Sequence, residues 1–132
     1  MKPIVYIVFL LLSSFAYSQE IHTKLVGIWQ AELVDTKTDA HYFMLEKRFA
    51  NGQFESLLII ESSEGVENYG GSGKWWVEED QIFQEYYSEN PEEPVIQTMS
   101  FEILSDTEVN FKTKSKDRPK ILRDFIQTKI GE

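Results

Sequence analysis

Apolar and polar residues alternate with a period of two over much of this chain, the mark of strands with one buried face. The clearest stretch is 42–61. Two such runs flank Asn51-Gly52, a pair that tolerates the positive φ of a tight hairpin turn. A two- or four-residue loop pairs Phe49 with Phe54, Leu45 with Leu58 and Phe43 with Ile60, and gathers all six on one face. A three-residue loop shifts the register by one and scatters that set. The even loop is therefore expected. It also turns Lys47 inward, opposite Ser56, and leaves Arg48 facing Glu55 outside.

The same pattern continues on both sides of the hairpin. After a short lead-in at 20–26, with room for one helical turn, Gly27-Ile28-Trp29 opens a strand to about residue 34. A polar loop at 35–41 leads into the hairpin, and an acidic loop at 62–68 follows it. The segment 69–78, with Gly73-x-Trp75-x-Val77, turns tightly at Glu79-Asp80 into 81–87. In that register Trp75 meets Gln84 inside, and Trp76 meets Phe83 outside. Two prolines make 88–94 a loop. Strands are expected at 95–104 and 108–112, then a basic loop at 113–120, then a last strand at 121–127. Tight connections alternate with long ones, which places the long loops at one end of an up-and-down meander. Closure into a barrel removes the exposed edges of such a sheet. The expected fold class is all-β, an eight-stranded antiparallel up-and-down barrel; a two-sheet sandwich is the alternative.

The first eighteen residues stand apart. Lys2, the apolar run 4–12 and the small residues Ala16 and Ser18 form a secretory signal peptide, with cleavage expected after Ser18. Residues 19–132 then form one domain, secreted or periplasmic and without a membrane span. An uncleaved membrane anchor is the alternative. Losing Lys2 moves the formal charge from −9 to −10. Nucleic acids and anionic membranes reward clustered positive charge, so neither is an expected partner. The chain holds no cysteine, which excludes disulfides, a thiolate nucleophile and thiolate-bound metal. Its 14% aromatic content supplies the large buried rings a disulfide-free core needs.

Chemical motifs are few. The stretch Gly70-Gly71-Ser72-Gly73-Lys74 lacks the spacing of a phosphate loop, because residue 68 is Asn and Trp75 follows the lysine. It also fails as a nucleophile elbow and reads as a glycine-rich strand start or bulge. His22 and His41 are the only histidines and read as surface residues. No metal, no cofactor and no enzymatic activity are expected. The rim is asymmetric. Loops 35–41, 62–68 and 88–94 are acidic, whereas 114–120 carries Lys114, Lys116, Arg118 and Lys120 against Asp117.

Gly27-Ile28-Trp29 at the first strand and the Gly73-x-Trp75-x-Val77 strand resemble the lipocalin-like branch of the calycin barrels, in particular small exported bacterial domains of that kind. The chain departs from the family at Ser105-Asp106-Thr107, where a Thr-Asp-Tyr motif is expected. The resemblance implies that Trp29 packs across the barrel base, with Gly27 beside it and a late arginine, Arg123, covering it. It also implies a monomer that binds a small apolar or amphipathic molecule non-covalently. The inward candidates for that ligand are Phe43, Leu45, Lys47, Ser56, Leu58, Ile60, Trp75 and Tyr86. Two accounts of Lys47 stay open: it swings out to water, or it pairs with an acidic group of the ligand. The competing function is a non-enzymatic interaction or inhibitor module that uses the loops or the outer apolar wall of a packed barrel.

Overall fold

The alternating segments form strands in a computed structural model that describes residues 2–87, 92 and 95–132. The elements are α1 (Lys2–Leu25), β1 (Gly27–Asp35), β2 (Ala40–Arg48), β3 (Gln53–Ser62), β4 (Gly65–Glu78), β5 (Gln81–Tyr86), β6 (Val95–Ser105), β7 (Glu108–Lys112) and β8 (Asp124–Gly131), with a 3-10 turn at Lys120–Leu122. The strands close into one barrel in the order β1 to β8, every neighbour antiparallel. Closure comes from β1 against β8, where Gln30 meets Thr128 and Ile28 meets Gly131. The expected all-β, eight-stranded up-and-down barrel is the observed architecture.

The lead-in is longer and more ordered than expected. In place of a single turn at 20–26, a helix runs unbroken from Lys2 to Leu25. Its last turns are held by the barrel. Ile21 and Leu25, four apart and so on one helix face, pack on the core, and Leu25 is fully buried. A helix C-terminus leaves carbonyls without intrahelical donors. The Leu25 carbonyl accepts from Trp29 Nε1 at 3.0 Å and from Arg48 Nε at 2.8 Å, so a cation sits where the helix dipole favours one. Among the described residues, no helix is long and apolar enough to cross a membrane.

Gly27 and Trp29 begin β1 at this closed end. Gly27 has φ +135°, and a Cβ there would lie 2.6 Å from Lys129 Cε and 2.8 Å from the Gly131 carbonyl oxygen. Gly27→Ala should therefore destabilise the barrel by about 1–3 kcal/mol, the usual cost of overpacking. Urea unfolding reads this directly, and a parent-like midpoint would show that the seam relaxes freely.

The β2–β3 hairpin overturns the expected register. Phe49 N donates to Gln53 O at 2.8 Å, and Gly52 N to Phe49 O at 3.1 Å. The loop is therefore three residues, 50–52, and ends on Gly52 at φ +85°. This is a turn followed by a left-handed glycine bulge. Met44 now faces Leu58, Glu46 faces Ser56 and Arg48 faces Phe54. Relative to expectation, every β2 side chain changes face. Met44, Glu46 and Arg48 point inward and are buried, whereas Phe43, Leu45 and Lys47 point outward. β3 keeps its expected parity, with Phe54, Ser56, Leu58 and Ile60 sharing the inner face.

The third connection also differs. The acidic loop expected at 62–68 is a tight turn at 63–64, and β4 already starts at Gly65. Residues 65–70 are exposed throughout, and a strand exposed on both faces carries no alternation to read. The glycine-rich stretch 70–73 is an interior part of β4, regularly paired with β3. The β4–β5 register is as expected: Trp75 meets Gln84, Trp76 meets Phe83 and Val77 meets Ile82. Trp75 is buried inside, and Trp76 stacks on Phe83 outside at 5.4 Å. The loop expected at 88–94 lies, apart from residue 92, outside the described residues.

Candidate functional site

Large side chains fill the base of the barrel. Trp29, Phe54 and Trp75 are each 2% exposed or less. His22 of α1 lies flat on Trp75, with ring centroids 4.2 Å apart, and its Nε2 meets the Ala50 carbonyl at 3.0 Å. This corrects the reading of His22 as a surface residue; His41 is exposed on β2. The arginine over Trp29 is Arg48, 5.1 Å from the indole. Arg123 is at the opposite end, where it donates to the carbonyls of Arg118 at 2.9 Å and Lys116 at 3.3 Å. It braces the β7–β8 loop and does not touch Trp29.

Above the base lies a cavity of about 310 Å³, at the lower end of the range for ligand pockets. Its walls are apolar, with Met44, Leu58, Ile82, Met99, Phe111 and Phe125 contributing. A polar cluster forms the floor. Arg48 Nη1 donates to Glu46 Oε2 at 2.6 Å and to Gln127 Oε1 at 3.0 Å. Gln127 Nε2 donates to the same Glu46 oxygen at 3.0 Å, and Gln84 Nε2 donates to Glu46 Oε1. Arg48 is 1% exposed. Burial pulls its pKa down, and the Glu46 carboxylate opposes that shift by Coulomb attraction and hydrogen bonding. Only Arg48 Nη2 has no hydrogen-bond partner among the buried side-chain atoms described.

The β7–β8 loop covers the mouth. Asp117, Arg118, Pro119 and Leu122 all line the cavity. The loop is tied by Thr113 N to Arg123 O at 2.8 Å and by Leu122 N to Pro119 O at 2.9 Å. Arg118 Nη1 contacts Met99 Sδ at 2.9 Å, and its guanidinium lies 5.7 Å from the Phe125 ring centroid. Burial pulls the Arg118 pKa down, with Tyr86 and Glu46 acting against that. Across the mouth, burial first and then Glu46 push the Tyr86 hydroxyl above its ordinary range. That hydroxyl stays a neutral donor and lies 3.5 Å from Gln97 Oε1. A side chain at Gly71 would collide with the Tyr86 ring at 2.8 Å, so the glycine makes room for it.

The predicted ligand residues divide clearly. Ser56, Leu58 and Tyr86 line the cavity. Ile60 shares the inner face but is not part of the lining. Trp75 is below the cavity, sealed by His22 and donating its indole N–H to Phe49 O at 3.0 Å. Phe43, Leu45 and Lys47 are on the outer wall, where the Lys47 ammonium rests 4.8 Å from the Phe49 ring centroid. An inward-facing Lys47 is therefore ruled out by the three-residue loop. Sequence reading missed Glu46, Gln84 and Gln127, and had Arg118 only as one of four basic residues in the loop 114–120, weighed as a lip that orients an acidic ligand group. Gln84 was visible as the partner of Trp75. Glu46 was hidden because an inward charge is penalised in any pattern argument.

Among the described residues, no three His, Asp or Glu side chains converge as a metal site would require. The closed eight-stranded antiparallel barrel is consistent with a calycin-like fold. No family model matches the chain, and no curated protein matches it.

Proposed function

We propose that this protein is an exported, non-enzymatic barrel that binds a small amphipathic molecule reversibly in its interior. The observation that carries this reading is the cavity itself: about 310 Å³ of space above a filled base, apolar at the walls and polar at floor and mouth. An interior evolved only as packing closes such space, because unfilled volume costs stability. The lipocalin-like resemblance of Gly27-Ile28-Trp29 supports the same reading. Export rests on the Lys2, 4–12 and Ala16-x-Ser18 pattern, with the chain starting at Gln19 after cleavage. That cut would fall inside α1 and leave the buried Leu25 turn in place.

Native mass spectrometry of the protein purified from its own host tests both parts. The expected spectrum shows a chain beginning at Gln19 and a retained small molecule. A chain beginning at Met1 would refute cleavage, and an empty protein that also binds no added small molecule would refute the binding role.

One observation favours a second reading. The register places the pairs Phe43–Ile59 and Leu45–Leu57 on the outer wall, and Leu57 and Val34 are exposed. Contiguous outer apolar residues suit a protein partner. A bound protein in the same spectrum would support that alternative.

A further inference from the structure

The hydrogen-bonding capacity left over in the cavity is unlike at its two ends. At the floor, a carboxylate offers about four acceptor sites. Glu46 Oε2 is occupied by Arg48 and Gln127, whereas Oε1 receives only Gln84. The Gln84 amide must turn its NH2 to that carboxylate, which leaves its own carbonyl as an acceptor with no donor among the described residues. Arg48 Nη2 also lacks a partner, but Arg48 is not part of the cavity lining, so the spare capacity that faces the cavity at the floor is accepting. At the mouth, a guanidinium carries five N–H donors, and the Arg118 side chain uses Nη1 on a thioether sulfur, a weak acceptor. No carboxylate among the described residues forms an ion pair with it. Arg118, the only cationic residue of the described lining, therefore gives the mouth spare donors, beside the Asp117 carboxylate.

Resting on the cavity reading above, we propose that the ligand is a short hydroxy acid. Its acidic group meets Arg118 at the mouth, its hydroxyl donates its one proton to Glu46 Oε1 at the floor beside Gln84, and its apolar middle lies against Met44, Leu58 and Phe125. A hydroxyl suits the floor better than an ammonium because Arg48 already neutralises Glu46 at 2.6 Å. A plain fatty acid suits it poorly, since its methyl end would displace water from the unpaired acceptors. The volume admits a ligand on the order of ten non-hydrogen atoms, at about 30 Å³ of liquid volume for each small group.

Calorimetric titration of the exported chain with ω-hydroxy acids about five to eight carbons long tests this, with the plain acids and the α,ω-diols of equal length as controls. The best hydroxy acid is expected to bind roughly tenfold or more tightly than either control, the usual worth of a hydrogen bond to a charged group. Arg118→Met should bring the hydroxy acid down to the level of the diol. The ω-methoxy acid of equal length keeps the terminal oxygen but has no proton to donate, so it should bind no more tightly than the plain acid, and the intact parent protein serves for both titrations. Equal affinity for plain and hydroxy acids would overturn the floor assignment. An unaltered acid preference in Arg118→Met would overturn the mouth assignment. If no acid binds at any length while the native spectrum shows a neutral molecule, the hydroxy-acid assignment falls and the cavity reading stands. If that spectrum is empty as well, both fall.

Discussion

Glu46→Leu alone should destabilise the barrel by about 3–5 kcal/mol, the cost of leaving one member of a buried ion pair without its partner. Arg48 is fully enclosed, and among the described residues Glu46 is the only carboxylate bonded to it. Without that carboxylate, a guanidinium remains in the interior beside the Trp29 and Phe111 rings. Adding Arg48→Met to the same chain should return much of the loss, because a hydrophobic replacement of both partners is often neutral or stabilising. Full recovery is not expected. Gln84 and Gln127 lose their common acceptor, and the Leu25 carbonyl keeps only the Trp29 indole. Urea unfolding of the parent, both single variants and the double variant gives the coupling directly. A single variant as stable as the parent would show that the pair is not isolated from water.

Trp29→Ala should cost about 3–5 kcal/mol, the range for a large buried aromatic side chain. The indole is 0% exposed and carries the Arg48 guanidinium on its face. Its N–H also holds the last turn of α1. Trp29→Phe separates these contributions, since it keeps a ring and removes the hydrogen bond, worth about 1 kcal/mol. Thermal melting of both variants measures the difference. An alanine variant that melts with the parent would remove Trp29 from the core of the base.

Some of this architecture was legible in the sequence, and the rest was hidden for identifiable reasons. Trp75 and Trp76 could be sorted to opposite faces because a two-residue turn at Glu79-Asp80 fixes the β4–β5 register. Ser56, Leu58 and Tyr86 followed from the parity of β3 and β5. The face of β2 was misread because its outer side carries the stronger apolar set, Phe43, Leu45 and Phe49, while its inner side carries Glu46 and Arg48. Pattern arguments assume that charge points outward. Here two charges neutralise each other inside, and a loop one residue longer or shorter decides between the two faces. Arg118 could be read only as part of a basic loop. That the loop folds inward depends on Leu122, buried at 2% exposure, and on Arg123 gripping the Arg118 and Lys116 carbonyls, contacts that no local spacing reveals.

The seam between β1 and β8 has a kinetic consequence. Ile28 meets Gly131, so the first strand of the sheet pairs with the last, its most distant partner in sequence. The other strand pairs are neighbours in sequence, joined through short turns or single loops, and can form as a growing meander. The closing contact cannot form until β8 is present, and it must recover the entropy of closing a loop that spans all eight strands. Until then the incomplete sheet has two open edges, and Trp29 has no opposite wall. Contacts this distant in sequence slow folding toward the millisecond-to-second range, which leaves a window in which all eight strands are present and the barrel is still unclosed.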